Sequence, residues 1–329
     1  MVEQYGVKQS KWKIKGVGKL QEQYISLSDL RKVNGIGDKT IERVKCQIDK
    51  TNESKNILEG VLQIQPPSDF KVPLNDVYCG ESIEFMRKNI PDNSIDMVLT
   101  SPPYDNLRDY NGYGFDYKTM LGEIYRVLKD GGTCVWVVGD ETISGSETGT
   151  SFKQALYAKE VGFNLHDTMI YQKSNPMPLQ HNRYQPCFEY MFVFSKGKPV
   201  TFNPIMEDTV NPNGKLTITQ REKDGSKNHG TGYGSKRNSK RYKHNIWKYN
   251  VGKNQTTNDE IAFHHPAIFP EQLAEDHIVS WSNEGDIILD PMCGSGTTCK
   301  MAKLNNRNFI GIDISEEYVG ISRERLRIT

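Results

Sequence analysis

The chain has 329 residues, with 42 Lys and Arg against 41 Asp and Glu, a formal net charge of +1 and 36% hydrophobic residues. That length suits one large α/β domain with insertions or appendages, and the balanced charge excludes any partner argued from global electrostatics. No apolar stretch approaches the ~20 residues of a membrane span, the N-terminus lacks a signal-peptide core, and the six cysteines (Cys46, Cys79, Cys134, Cys187, Cys293, Cys299) show no paired metal-ligand spacing. A soluble, cytoplasmic protein with reduced thiols and no bound metal is expected.

Residues 1–50 begin with a basic arm spotted with aromatics (Lys8, Lys11, Trp12, Lys13, Lys15, Lys19) and hold eleven Lys/Arg against six acids. Two short amphipathic helices fit next, apolar at Leu27, Leu30 and Val33, then at Ile41, Val44 and Ile48, with Gly35-Ile36-Gly37 as the turn. Residues 51–75, polar and marked by Pro66-Pro67, suit a linker. From residue 76 a βα rhythm begins. The pattern predicts a strand at Val77-Tyr78, a helix over 82–89, a buried strand over 95–100 and a helix over 117–128 ended by Lys129-Asp130-Gly131-Gly132. A strand over 133–138 and a helix over 151–160 follow. Strands over 163–171 and 188–194 suit an antiparallel pair at a sheet edge, which closes a first catalytic half at residue 198.

Residues 199–257 break the pattern. They are rich in Asn, Gly, Ser, Lys and Arg, and residues 212–253 hold eleven Lys/Arg against two acids. A structureless insertion of this length is expected to be functional or disordered. Basic residues with interleaved aromatics (Tyr233, Tyr242, Trp247, Tyr249) suit phosphate contact plus stacking, with Lys236, Arg237, Lys240, Arg241 and Lys243 as candidate DNA contacts. The α/β rhythm resumes over 258–329: a helix over 269–278 with proline in its first turn, a strand over 286–290, a glycine loop, a strand over 309–313 and a closing helix over 316–326.

Two stretches carry chemistry. Thr100-Ser101-Pro102-Pro103-Tyr104 ends the strand over 95–100. Its double proline forces the chain out of the sheet, leaving a stiff loop at a strand's carboxyl end, where open α/β sheets place ligands. The loop offers a hydroxyl (Ser101), a carbonyl of fixed direction (Pro102) and an aromatic face (Tyr104), a set matched to a flat heterocycle bearing an exocyclic amine. The second stretch, Pro291-Met292-Cys293-Gly294-Ser295-Gly296-Thr297-Thr298, lies between a strand and a helix, and the next strand ends in Asp313. That acid lies 23 residues after Asp290, near the ~20-residue offset at which an acid takes a ribose diol. The third glycine of a dinucleotide loop and the Gly-Lys-Ser/Thr of a P-loop are both missing.

Ser101-Pro102-Pro103-Tyr104 resembles the catalytic loop of amino-methyltransferases acting on DNA bases. Residues 290–298 resemble that family's S-adenosylmethionine loop, Asp-Pro-X-X-Gly-Ser-Gly-Thr-Thr, and His265-Pro266-Ala267-Ile268-Phe269-Pro270 matches its His-Pro-X-X-Phe-Pro segment. The catalytic loop precedes the cofactor loop with a basic insertion between them, which resembles the permuted order of the β class. Protein-glutamine methyltransferases, with a similar Pro-Pro-Tyr loop, carry the reverse order. The resemblance covers residues 77–329; Gly80-Glu81-Ser82 departs from the family's Gly-Asp-Ser.

The resemblance implies an α/β, Rossmann-like, S-adenosylmethionine-dependent methyltransferase sheet acting on double-stranded DNA. Its implied catalytic residues are Ser101, Pro102, Pro103 and Tyr104. Its implied cofactor residues are Asp290, Cys293, Gly294, Ser295, Gly296, Thr297, Asp313 and Phe269. Residues 199–257 become a target recognition insertion, and the 27–48 segment resembles a helix-hairpin-helix element, with Gly35, Gly37, Lys39 and Arg43 on a phosphate. Ser-Pro-Pro-Tyr is associated with cytosine N4 more often than with adenine N6, so a flipped cytosine is the favoured target and adenine the alternative. An RNA base and a catalytically silent scaffold are further rivals, and a homodimer and a cognate restriction endonuclease stay open as partners. Pro186-Cys187 resembles the nucleophile of cytosine-C5 enzymes, but it opens a predicted strand and reads as a structural cysteine.

Overall fold

The computed structural model describes residues 70–103 and 115–329, apart from Met177, 179–181, Asn213, Ile218 and Thr231. The helical hairpin expected within residues 1–50, with Gly35, Gly37, Lys39 and Arg43, lies outside the described residues, as does Tyr104.

Eight strands form one sheet. They are β1 (Asp76–Cys79), β2 (Ile95–Thr100), β3 (Leu128–Val138), β6 (Asn164–Lys173), β7 (Phe188–Ser195), β12 (Ile246–Tyr249), β13 (Ile287–Asp290) and β14 (Asn308–Asp313), in the order β1-β14-β13-β2-β3-β7-β6-β12. All neighbours are parallel except β7, which runs antiparallel to β3 and to β6. Between β3 and β6, the two-residue strands β4 (Thr142–Ile143) and β5 (Ser146–Glu147) make a small exposed hairpin. Strands buried on both faces need apolar residues on both, and the buried runs of β2 and β3 meet that need.

Helices α1 (Ser82–Asn89), α2 (Tyr117–Val127) and α3 (Thr150–Val161) cover one face, packing Met86, Leu121 and Ala158 over Val98, Trp136 and Phe194. Helices α4 (Glu271–Trp281), α5 (Thr297–Leu304) and α6 (Glu316–Ile328) cover the other, packing Leu273, Met301 and Val319 against Met97, Val135 and Ile288. The predicted helices and strands of both halves are present, most with ends shifted by one to three residues. Helix α2 does not end at the glycines: Leu128 is already extended, and the chain runs straight into β3, so Gly131 and Gly132 belong to that strand.

The insertion is the main correction. It contains the short strands β8 (Met206–Asp208), β9 (Thr219–Arg221), β10 (Lys227–His229) and β11 (Lys240–Tyr242), paired β9 with β10 and β8 with β11. It ends in β12, which joins the main sheet outside β6 and displaces the β6–β7 pair from the edge. Trp247 and Tyr249, expected at a DNA surface, are core residues at 5% and 7% exposure. The Trp247 ring lies 4.6 Å from the ring of buried His277, and the Tyr249 hydroxyl donates to Asp276 at 2.7 Å. Burial pushes His277 down to about 3, so it is neutral under the indole. Lys243 is committed as well: its ammonium meets Asp276 at 3.0 Å and lies over both rings.

Candidate active site

β13 leads through α5 to β14 on one side, whereas β2 leads through α2 to β3 on the other. The carboxyl ends of these two adjacent strands are therefore the topological switch point, where an open α/β sheet forms its ligand crevice. The two chemistry-bearing stretches meet there. Thr100 Oγ1, one residue before Ser101, donates to Asp290 Oδ1 at 2.7 Å, and the pair is buried. Thr298 Oγ1 donates to the Leu99 carbonyl at 3.2 Å. Stretches about 190 residues apart in sequence are thus joined by two hydrogen bonds. Ser101 and Pro103 are half-buried and Pro102 is buried, so the loop leaves the sheet from a fixed base.

Burial pushes the Asp290 carboxyl up to about 6, even though Thr298, Thr100 and the Met292 amide favour its ionised form. The folded carboxyl holds its proton more tightly than an unfolded one. Its contribution to stability is therefore present below about pH 4 and lost as the pH rises through about 6. An Asp290→Asn protein is expected to gain on the parent between those values by on the order of 2–3 kcal/mol in denaturant melts. A gap that stays constant with pH would show that the carboxyl ionises without penalty.

The 290–298 loop is braced from three sides. The Cys293 amide donates to Ile312 O at 2.9 Å, and Asp313 accepts from the amides of Gly294 and Ser315, both at 2.9 Å. Burial pushes the Asp313 carboxyl upward against those bonds. Gly80 N bonds Asp313 O at 2.9 Å, Ser82 Oγ donates to Pro291 O, and Glu81 caps α1 through the amides of Ile83 and Glu84. Glu81 thus does the capping work open to a shorter acid.

Gly294 and Gly296, implied as cofactor residues, suit a close approach of the backbone to a ligand. Both have positive φ, but a Cβ on Gly294 would lie 2.7 Å from His265 Nε2, and one on Gly296 would lie 2.8 Å from Ser322 Oγ. The glycines admit protein atoms: His265 beneath the loop, and Ser322, whose hydroxyl donates to Gly294 O at 2.7 Å. Phe269, just before α4, is half-buried against the core.

Sequence reasoning missed the third brace. Arg325 is fully buried. It donates to Ser295 O at 2.7 Å, Thr297 Oγ1 at 3.1 Å, Asp259 Oδ2 at 2.9 Å and Glu271 Oε1 at 2.6 Å. Lys300 meets the same two carboxylates, each at 2.7 Å. Two cations thus balance two acids behind the loop, linking the segment just after the insertion, α4, α5 and α6. The polar side chains of Ser295 and Thr297 are therefore turned towards protein.

A cleft of about 530 Å³ lies elsewhere, at the amino ends of β1 and β14. Its charges are used internally, Arg323 on Asp76, Arg327 on Glu324 and Lys303 on the Leu326 carbonyl. Among the described residues no group of three or more His, Cys, Asp and Glu could hold a metal ion, and no helix is long and apolar enough to cross a membrane.

The switch-point residues suit an adenosyl sulfonium. Asp290, buried, and Asp313, half-buried, end adjacent strands as acids, the electrostatic complement of a cation, and a carboxylate has about four lone-pair sites, so Asp313 keeps acceptor capacity beyond its amide bonds. Half-buried Phe269 and Met292 add apolar surface.

Comparison with known proteins agrees with this geometry. A family model described as DNA methylase, of the N6/N4 methyltransferases, matches residues 95–324. The orphan methyltransferase M.BamHII of Bacillus amyloliquefaciens is 57% identical over 247 residues, 74% of this chain and 92% of its own. The type II methyltransferase M.HpaI of Haemophilus parainfluenzae is 31% identical over 75% of this chain and 73% of its own. Among solved structures, the PvuII DNA methyltransferase (cytosine-N4-specific) superposes with a TM-score of 0.56 at 20% identity, covering 78% of this chain and 90% of that one. The M1.HpyAVI–SAM complex gives 0.51 at 22% identity, covering 76% and 98%. The chain belongs to the N6/N4 DNA methylase family, and is an S-adenosylmethionine-dependent DNA methyltransferase.

Proposed function

We propose that this enzyme methylates the exocyclic N4 of a cytosine flipped out of duplex DNA. The observation that carries the reading is the buried Thr100–Asp290 hydrogen bond, which ties the Ser101-Pro102-Pro103-Tyr104 loop to the cofactor loop at the switch point. When bound, S-adenosylmethionine supplies an electrophilic methyl group on a sulfonium. The chain's own residues have to improve a poor nucleophile, because the amine's lone pair is delocalised into the base ring. Hydrogen bonds from its N–H groups to Ser101 Oγ and the Pro102 carbonyl draw the nitrogen towards tetrahedral geometry and aim its lone pair. Positioning of this kind contributes up to ~7–11 kcal/mol in favourable cases. The base must leave the stack to reach the loop, and Tyr104 stacks on it there. Lys236, Arg237, Lys240 and Arg241 hold the duplex, with Arg241 already oriented by Glu207 at 2.8 Å.

Mass spectrometry of hydrolysed nucleosides, after incubation with S-adenosylmethionine and mixed-sequence duplex DNA, tests the target. N4-methylcytosine is the expected product. N6-methyladenine would keep the mechanism and change the base, and C5-methylcytosine would move the chemistry to Cys187 and refute the loop argument. Tyr104→Ala is expected to lower turnover by about tenfold or more, given ~1–3 kcal/mol per aromatic–base stack, with duplex affinity nearly unchanged. Equal losses in both would remove the stacking role.

A further inference from the structure

The insertion holds a feature that packing does not explain. Strands β9 and β10 form a two-stranded antiparallel ribbon in which all eleven residues from Thr219 to His229 are exposed. Its turn is nonetheless well made: Glu222 N bonds Ser226 O at 2.9 Å, Gly225 N bonds Glu222 O at 3.0 Å with Gly225 at φ +84°, and Asp224 Oδ1 accepts from the Ser226 amide at 2.9 Å. An isolated two-stranded hairpin is at best marginally stable in water, and this one buries no side chain of its own. A defined turn without a core is what a ribbon made to enter something else requires.

Its two faces differ. Register pairs Arg221 with Lys227 and Thr219 with His229, and opposed residues of an antiparallel pair share a face. One face therefore carries Arg221, Lys227, Thr219 and His229, the last stacked at 3.8 Å on Tyr233. The other carries Gln220 and Asn228, with the Asn228 amide donating to Glu222 at 3.2 Å. The first face is cationic. The second presents a carboxylate, which phosphates repel.

We infer that the β9–β10 ribbon lies in the DNA major groove with its Arg221–Lys227 face towards the bases, and that these two residues set part of the sequence preference. The inference rests on the reading of the insertion as a DNA contact and goes further by naming which strands read and with which face. The major groove admits a two-stranded β-ribbon, and Arg or Lys donating to the O6 and N7 acceptors of guanine is the commonest specific contact there. The bases read by this face are therefore guanines. Thr219 and His229, one register pair further from the turn, extend the same face.

The test uses the full chain, S-adenosylmethionine and a duplex library with randomised positions, followed by sequencing of the methylated products. Arg221→Ala and Lys227→Ala are each expected to reduce discrimination at a G·C position roughly ten- to a hundredfold, whereas Gln220→Ala combined with Asn228→Ala keeps the parental preference. Because the ribbon is exposed, circular dichroism and S-adenosylmethionine affinity of all three proteins should match the parent. Parental preference in the Arg221 and Lys227 variants, with duplex affinity lost in Lys236→Ala/Lys240→Ala, would overturn the ribbon and keep the insertion as a DNA contact. Loss of preference only in the Gln220/Asn228 variant would overturn the choice of face. Unchanged affinity and preference in every variant would overturn the ribbon together with the reading beneath it.

Discussion

Arg325→Ala is expected to destabilise the enzyme by about 3–5 kcal/mol, the cost of breaking a buried ion pair by removing one partner. Asp259 and Glu271, 15% and 22% exposed, would keep only Lys300 as counter-charge. Ser295 O would also lose its donor. S-adenosylmethionine affinity should fall by about tenfold or more, equivalent to ~1.4 kcal/mol, because the Arg325 fork holds the loop backbone. Arg325→Lys should recover little of either loss, since one ammonium cannot reproduce a planar fork bonded to both acids and the loop carbonyl. Arg327→Ala is the control. Its side chain is 74% exposed and pairs only with Glu324, and its effect should stay within ~0.5 kcal/mol. Denaturant melts and a cofactor titration on the three proteins decide the matter. Equal behaviour of Arg325→Ala and Arg327→Ala would show that the buried cluster does not hold the loop.

The second large effect is expected from Gly296→Ala, a change of a single methyl group. Gly296 sits at φ +78°, where a residue with a Cβ is disfavoured by roughly 1–2 kcal/mol. The new Cβ would also lie 2.9 Å from Ser322 Cβ and 3.2 Å from Ser322 Cα, so α6 itself would have to move. Overpacking of this kind typically adds ~1–3 kcal/mol. Removing the hydroxyl through Ser322→Ala should not rescue the protein, because the clash with the β-carbon and backbone of residue 322 persists and the bond to Gly294 O is lost. A Gly296→Ala protein with parental melting and cofactor affinity would show that α6 yields freely.

Most of the architecture was legible because its signals are local. The apolar run over 95–100, the double proline after it, and the strand–glycine loop–helix–acid series over 286–313 each declare themselves within a few residues, and their outlines hold. Features set by distant partners were not legible. Arg325 reads as a basic residue in a helix's last turn, an ordinary complement to the helix dipole; its burial depends on Asp259 and Glu271, 66 and 54 residues away. Thr100 reads as the last residue of a strand, and only the fold brings Asp290 to it. Ile246-Trp247-Lys248-Tyr249 alternates exposed and buried for just four residues, too short a run to stand out from a basic, aromatic-rich background. Trp247 and Tyr249 therefore read in sequence as aromatics of a DNA surface, although they belong to the core.

That last strand sets where the protein can be cut and rejoined. No described residue from 201 to 246 is buried, yet Trp247 and Tyr249 immediately beyond are core residues. Exchange of the insertion between relatives therefore has a natural junction after β11, near residue 243, well before the sequence returns to its regular rhythm. A chimera joined there keeps the outer strand, the Tyr249–Asp276 bond and the Asp259 carboxylate that meets Arg325. One joined at residue 257 would replace this edge strand with a foreign one in a sheet built around it, exchanging the Trp247 ring that covers His277 and the strand that pairs with β6 and keeps it from being an exposed edge. The insertion proposed to contact DNA and the main sheet thus overlap, and the overlap belongs to the sheet.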